Sequence, residues 1–309
     1  MLSRGLAFGL CGFAYLLCTR TANPQETQRP KLRVQTTLVV VPVSVTDHLN
    51  RFVVGLEKQN FSIYEDGIQQ QIAQFSGEDV PLSVGILVDT SASMGSKLST
   101  SRQAAAEFLK TMNPQDEAFL VEFNTHASLT VPFTKSPEEI KNSLASTVPD
   151  GTTALLDAVN LGVESMKSAH NARKALLIIS DGGENSSKYT SAEVKETIRK
   201  ADVQVYGMGV FDPLESIGLG MGPVSGPLFL ATLCQQTGGR VFPASSYAVL
   251  PNIARRIGIE LRNQYVLAYS PINHNHNGEY RKLEVKIDPP PGLPAVKARW
   301  RLGYYAPID

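Results

Sequence analysis

Cysteine is almost missing from this chain of 309 residues, and so are the common catalytic signatures. Two of the three cysteines, Cys11 and Cys18, fall in the first 22 residues. If that stretch leaves, Cys234 stands alone and no intrachain disulfide can form, so stability must come from packing. Cys234 lies in "FLATLCQQTGG", a helical-looking segment, and reads as a small buried hydrophobe. Charge of one sign is also missing: 29 basic residues face 29 acidic ones, for a formal net charge of zero. That balance excludes a whole-molecule field for nucleic acid or anionic membrane. No H-E-x-x-H zinc helix and no G-x-S-x-G nucleophile elbow occurs. A phosphatase of the aspartyl-phosphate type wants a second Asp two residues after the first, and here Ser91 stands in that place. The expectation is a binding protein and not an enzyme, with a metal-dependent hydrolase as the weaker alternative.

Long hydrophobic runs are lacking as well. The longest opens the chain, "MLSRGLAFGLCGFAYLLCTRTANPQ", where Arg4 precedes roughly fourteen apolar residues, too few to span a bilayer comfortably. Residues 1–22 are read as a secretory signal peptide and 23–31 as a linker, which places the protein outside the cell, in the periplasm or in the envelope. Arg20 lies two residues before Ala22 and makes a poor cleavage site, which leaves an uncleaved anchor as the alternative. No membrane span is expected once the signal is removed.

What remains alternates in pattern. Residues 32–80 are rich in Val and Thr, with "LRVQTTLVVVPVSVTDHLNRFVVGL" predicting a β-hairpin that turns near Asp47–Asn50. From Leu82 to residue 262, short apolar runs such as "LSVGILVD", "EAFLVEF", "KALLIIS" and "VQVYGMGV" alternate with one-sided helical patterns. Ala105, Phe108, Leu109 and Met112, for example, fall on one face. "SPEEIKNSLAS" places Ser136 as the N-cap and Pro137 at the first helical position. This alternation predicts an α/β fold with a doubly wound, mostly parallel sheet. Residues 264–309 return to β pattern, and pairing with residues 32–80 in a second, smaller β-sandwich-like unit is expected.

The chemistry gathers at strand ends. "LVDTSASMGS" breaks an apolar run at Asp89 and follows it with Ser91 and Ser93. Alone, that spacing is equally a turn and helix cap. "KALLIISDGGENSS" ends another strand at Asp181, and "DGTTALLDAV" puts Thr152 and Thr153 at a helix entrance. Ligands of open α/β sheets bind beyond the carboxyl ends of the strands, so all three segments deliver oxygens to one edge. A hard cation is the reading that uses them together.

The constellation resembles the von Willebrand factor A family and its metal-ion-dependent adhesion site. The likeness covers residues 82–262: D-x-S-x-S at Asp89, Ser91 and Ser93, a threonine in "GTT", and the aspartate of "SDG". The flanks, with "FSIYEDG", "LRNQYVLAYSP" and "GYYAP", look like a secreted bacterial subgroup of the acidobacterial type. The resemblance points to Thr153 over Thr152. It implies Asp89, Ser91, Ser93, Thr153 and Asp181 as the metal site, with the hydroxyls as direct ligands and the carboxylates acting mostly through water and by orienting them. Neutral oxygens in a compact cage favour Mg²⁺ or Mn²⁺ over Ca²⁺. The poorly quenched charge would accept an Asp or Glu carboxylate from a protein or cell-surface partner. A structural envelope component with a vestigial metal site is the alternative. Asp157 is read as a surface or capping residue, His126 as a possible rim residue, and His274 and His276 as an exposed hairpin tip.

Overall fold

The computed structural model describes residues 38–209, 226–293 and 295–308. The expected signal peptide and linker lie outside the described residues, as does most of the Gly/Pro-rich stretch "FDPLESIGLGMGPVSGP". The compact unit that holds the described residues runs from Thr37 to Asp309.

Its centre is a six-stranded sheet. The strands are β5 (Leu82–Asp89), β6 (Glu117–Phe123), β7 (Ala127–Thr134), β8 (Arg173–Ile179), β9 (Gln204–Gly209) and β10 (Val241–Pro243). They are ordered β10-β9-β8-β5-β6-β7. All neighbours pair in parallel except β6 and β7. β7 carries Pro132 and stands at the edge, where a missing N–H leaves no central ladder bond unmade. Every residue of β5 is buried, the mark of a strand covered on both faces.

Among the described residues six helices supply the cover: α1 (Leu98–Leu109), α2 (Pro137–Ser146), α3 (Leu155–Ser165), α4 (Ser191–Lys200), α5 (Gly226–Thr237) and α6 (Leu250–Arg262). One core joins Val84, Ile86 and Val88 of β5 to Phe108 of α1, Ile140 of α2 and Ile257 of α6. The other joins Leu87 and Phe119 to Val159 of α3, Ile198 of α4 and Leu233 of α5. Alternate residues of one strand thus feed opposite cores, and the sheet is doubly wound. Ser136 precedes α2 as expected, but its hydroxyl makes no capping bond.

The flanks build two further antiparallel sheets from β1 (Val39–Thr46), β2 (Phe61–Glu65), β3 (Ile68–Gln70), β4 (Ile72–Ser76), β11 (Gln264–Tyr269), β12 (Tyr280–Ile287), β13 (Lys297–Arg299) and β14 (Gly303–Tyr305). Their orders are β13-β1-β11-β4 and β14-β12-β2-β3. Val41 and Val43 of the first sheet share a core with Ile63 and Val285 of the second. The expected hairpin after β1 is cut short. The chain turns at Asp47–Asn50, with the Asp47 N–H donating to Arg51 O at 2.9 Å and the Val53 N–H to Val45 O at 3.0 Å, but beyond the Thr46–Phe52 bridge it adds no strand, because β11 and β13 pair with β1. Likewise "VKARWRLGYY" is two short strands in different sheets, broken where the Leu302 N–H donates to Gln236 O of α5 at 3.1 Å.

The central sheet and the flanking sheets are joined by buried polar groups. Arg173 of β8 donates to Leu261 O and to Gln264 Oε1, and Gln264 Nε2 donates to Ser44 Oγ of β1 at 3.0 Å and to Tyr206 OH of β9 at 3.1 Å. Among the described residues no helix is long and apolar enough to cross a membrane.

Candidate functional site

Strand order locates the site. From β5 the chain moves to β6 and β7 on one side, then crosses to β8, β9 and β10 on the other. The crevice beyond the carboxyl ends of β5 and β8 is therefore the switch point at which doubly wound sheets bind ligands. Val88 pairs with Ile179 there, so Asp89 and the Ser180-Asp181 pair emerge side by side.

The Asp89 carboxylate is fully buried and heavily bonded. Its Oδ1 accepts the Ser91 N–H at 3.0 Å and the Ser91 hydroxyl at 2.6 Å, and its Oδ2 accepts the Ser180 hydroxyl at 2.7 Å. Ser91 Oγ lies 3.1 Å from Ser93 Oγ. Ser91 is buried and Ser93 exposed, so the three oxygens run from the interior to the surface. Burial pushes the Asp89 carboxyl above the usual carboxylate range; the hydrogen bonds from Ser91 and Ser180 oppose that shift, and the charge of Asp181 adds to it. A cation close by would favour the ionised form and offset the rise.

Thr153 and Asp181 come from the other two loops. A Cβ placed on Gly183 would lie 3.2 Å from Thr153 Oγ1 and 3.5 Å from Asp181 Oδ1, so the two oxygens flank one small space that glycine leaves open. Gly182 has φ +86°, a left-handed turn that suits glycine and brings the chain back toward Asp181. Thr152 instead faces outward, its hydroxyl within hydrogen-bond distance of Thr125 Oγ1 at 3.1 Å and of Ser186 Oγ at 2.8 Å.

Backbone bonds lock the three loops together. Ala92 N–H donates to Gly151 O at 3.0 Å and Asp150 N–H to Thr90 O at 3.0 Å. Thr153 N–H donates to Asn185 Oδ1 at 2.8 Å, and Asn185 N–H to Thr153 O at 3.0 Å. The start of α3 has no cap of its own. Glu184 Oε2 and Ser187 Oγ accept the Leu156 N–H at 2.9 and 3.0 Å, so the Asp181 loop caps the Thr153 helix. Asp157 in turn accepts the Lys188 and Tyr189 N–H groups at 2.8 and 3.1 Å and pins the far end of that loop.

Sequence reasoning missed Ser180, Glu184, Asn185 and Lys97. Ser180 is the one polar residue closing the run "KALLIIS", a signal that was present and unused. Lys97 could not have been found by spacing. Its Nζ donates to Asp181 Oδ2 at 2.9 Å and lies 5.1 Å from the centre of the Tyr247 ring. Burial alone would lower the Lys97 pKa, but Tyr247 and Asp181 outweigh it and the ammonium is held above its ordinary value. His126 is exposed and turned into a loop, its N–H 3.3 Å from Asn124 Oδ1, and His274 and His276 are exposed.

The residues fit a small hard cation. Among the described residues no group of three or more His, Cys, Asp or Glu side chains is gathered. The donors here are hydroxyls with two carboxylates, an all-oxygen set of the kind Mg²⁺ and Mn²⁺ take. Gly183 leaves room between two of them that any larger residue would fill.

Comparison with known proteins concerns the central α/β part of the chain. The family model described as von Willebrand factor type A domain matches residues 84–184, a third of the chain, and that span contains Asp89, Ser91, Ser93, Thr153 and Asp181. A solved structure, a von Willebrand factor type A protein from Catenulispora acidiphila, is 11% identical with a TM-score of 0.51, over 90% of this chain and 75% of that one. An aerotolerance-related membrane protein from Bacteroides fragilis is 17% identical (TM-score 0.47), over 58% of this chain and 98% of its own. The PilB minor pilin from Streptococcus sanguinis is 15% identical (TM-score 0.46), over 60% and 62%. At 11% identity the likeness to the Catenulispora acidiphila structure is one of fold alone. No curated protein matches the chain. A von Willebrand factor type A domain is thus supported for the central α/β sheet by the family match and by the fold shared with the Catenulispora acidiphila structure.

Proposed function

We propose that this protein is a secreted or envelope-bound module, not an enzyme, that binds a protein or cell-surface partner through a divalent cation. The observation that carries the reading is the convergence of Asp89, Ser91 and Ser93 with Thr153 and Asp181 at the switch point of the sheet. Ser91, Ser93 and Thr153 would hold the ion as neutral ligands. Asp89 fixes the Ser91 hydroxyl, and Asp181 would act from beside Thr153. When bound, Mg²⁺ or Mn²⁺ supplies a Lewis-acidic position for an anionic oxygen, so the partner should offer an Asp or Glu carboxylate.

A second reading, a structural envelope component whose site takes no metal, is favoured by the Lys97–Asp181 ion pair, which already gives one carboxylate a counter-charge. Thermal melts decide between the two. With a dissociation constant near 0.1 mM, 10 mM free Mg²⁺ should stabilise the native state by about 2.7 kcal/mol over chelator. Asp89→Ala combined with Ser91→Ala should abolish the difference. Identical wild-type melts in both buffers would overturn the metal reading.

A further inference from the structure

The aspartate of the "SDG" loop has two oxygens facing different ways. Oδ1 is turned toward Thr153 and Gly183 and accepts the Gly183 N–H at 3.3 Å. Oδ2 accepts the Lys97 ammonium at 2.9 Å. This ion pair is not a loose surface contact. The Asp181 side chain is 13% exposed and that of Lys97 27%, and the ammonium is steadied over the Tyr247 ring. The backbone of Lys97 is fixed too. It follows the short turn Ala92–Met94 that carries Ser93, and its N–H donates to Met94 O at 2.8 Å. Lys97 and the serine oxygens are therefore parts of one rigid loop, and a cation at Ser91 and Ser93 would have a fixed positive charge for a neighbour.

We propose that Lys97 determines what the site selects: it weakens the hold on the metal and leaves the loaded site positive, which makes an anionic oxygen the preferred partner group. The proposal rests on the reading that the site takes a divalent cation. The charge count is short. Asp89 and Asp181 contribute two negative charges and Lys97 one positive. A divalent ion then brings the cluster to a net of plus one, which one carboxylate neutralises. Without Lys97 the loaded cluster would sum to zero, and a partner carboxylate would gain little over water. Lys97 need not leave for the ion to enter, because it engages only Oδ2, while Oδ1 lies on the Thr153 side. By holding Oδ2 it also restrains the carboxylate from turning both oxygens on the ion, which keeps the charge unquenched. A merely structural lysine would stabilise the loop but would not push metal affinity and anion affinity in opposite directions.

The test uses the full chain and three proteins: wild type, Lys97→Gln and Lys97→Arg. Mg²⁺ alone is titrated calorimetrically, and acetate is then added to the Mn²⁺-loaded proteins while water-proton relaxation reports displacement of metal-bound water. Lys97→Gln should bind Mg²⁺ roughly tenfold tighter, since a repelling charge at short range is gone, and should lose most of its response to acetate. Lys97→Arg, which keeps the charge, should behave like wild type in both measurements. Unchanged or weaker Mg²⁺ binding by Lys97→Gln, with circular dichroism showing it folded, would overturn the proposal while leaving the metal reading intact. If Lys97→Gln does not fold, a Lys97→Arg protein whose Mg²⁺ and acetate responses differ from wild type overturns it. If it does not fold and Lys97→Arg matches wild type, the retained charge supports it. Absence of Mg²⁺ binding by all three proteins would overturn the metal reading and the proposal with it.

Discussion

Gly183→Ala should separate fold from metal more cleanly than loss of any ligand. The backbone at Gly183 lies outside the left-handed region, so alanine is conformationally allowed. Replacing glycine at such a position stabilises by about 0.4–1 kcal/mol through the unfolded chain. The new methyl would sit 3.2 Å from Thr153 Oγ1 and 3.5 Å from Asp181 Oδ1, which requires a shift of a few tenths of an ångström from its neighbours. In the absence of metal, that crowding roughly offsets the entropic gain, and the melt in chelator should stay close to wild type. With metal the outcome differs, because Mg²⁺ demands near-ideal geometry at ~2.0–2.1 Å and tolerates little displacement of a ligand. A tenfold weaker site would cut the stabilisation by 10 mM Mg²⁺ from about 2.7 to about 1.4 kcal/mol. Scanning calorimetry of both proteins in Mg²⁺ and in chelator measures the two increments. A full-sized Mg²⁺ increment in the variant would refute the placement of Thr153 and Asp181 on either side of the ion.

Two further outcomes concern the scaffold. Glu65 is buried and accepts Arg281 Nη1 at 3.2 Å, Tyr269 OH at 2.6 Å and Tyr304 OH at 2.7 Å. Glu65→Ala strips the buried Arg281 guanidinium of its counter-charge within one flanking sheet and takes the acceptor from Tyr269 of the other, and should cost about 3–5 kcal/mol in urea denaturation; a loss below about 1 kcal/mol would show that the Glu65 cluster does not hold these strands together. Glu117 is partly desolvated, which raises its pKa, but bonds from Ser83 and His170 outweigh this and hold it below the ordinary value. Its contribution is thus present above the unfolded value of about 4.3 and is lost as pH falls through the lower folded value. Glu117→Gln should flatten that acid limb of the stability curve, and an unchanged limb would remove Glu117 as its source.

The strands and helices of the central sheet were legible because each is a local pattern. Seven apolar or small residues from Leu82 to Val88 with no polar face specify a strand covered on both sides, wherever it lies. The hairpin after β1 is cut short for the complementary reason. Val and Thr content specifies an extended chain but not its partner, and here β11 and β13, more than two hundred residues downstream, took both edges. The same distinction runs through the site. Asp89, Ser91 and Ser93 could be read together because two-residue spacing keeps them in one loop. That Thr153 and Asp181 share the space above Gly183, with Thr152 turned away to Thr125, was settled only when β8 came to lie beside β5. Lys97 shows the limit most plainly. In the sequence it is one more basic residue before a helix, 84 positions from Asp181. Only the packing of the two loops makes it a fixed charge at the site, because electrostatic neighbours are set by distance in space, which no local pattern encodes.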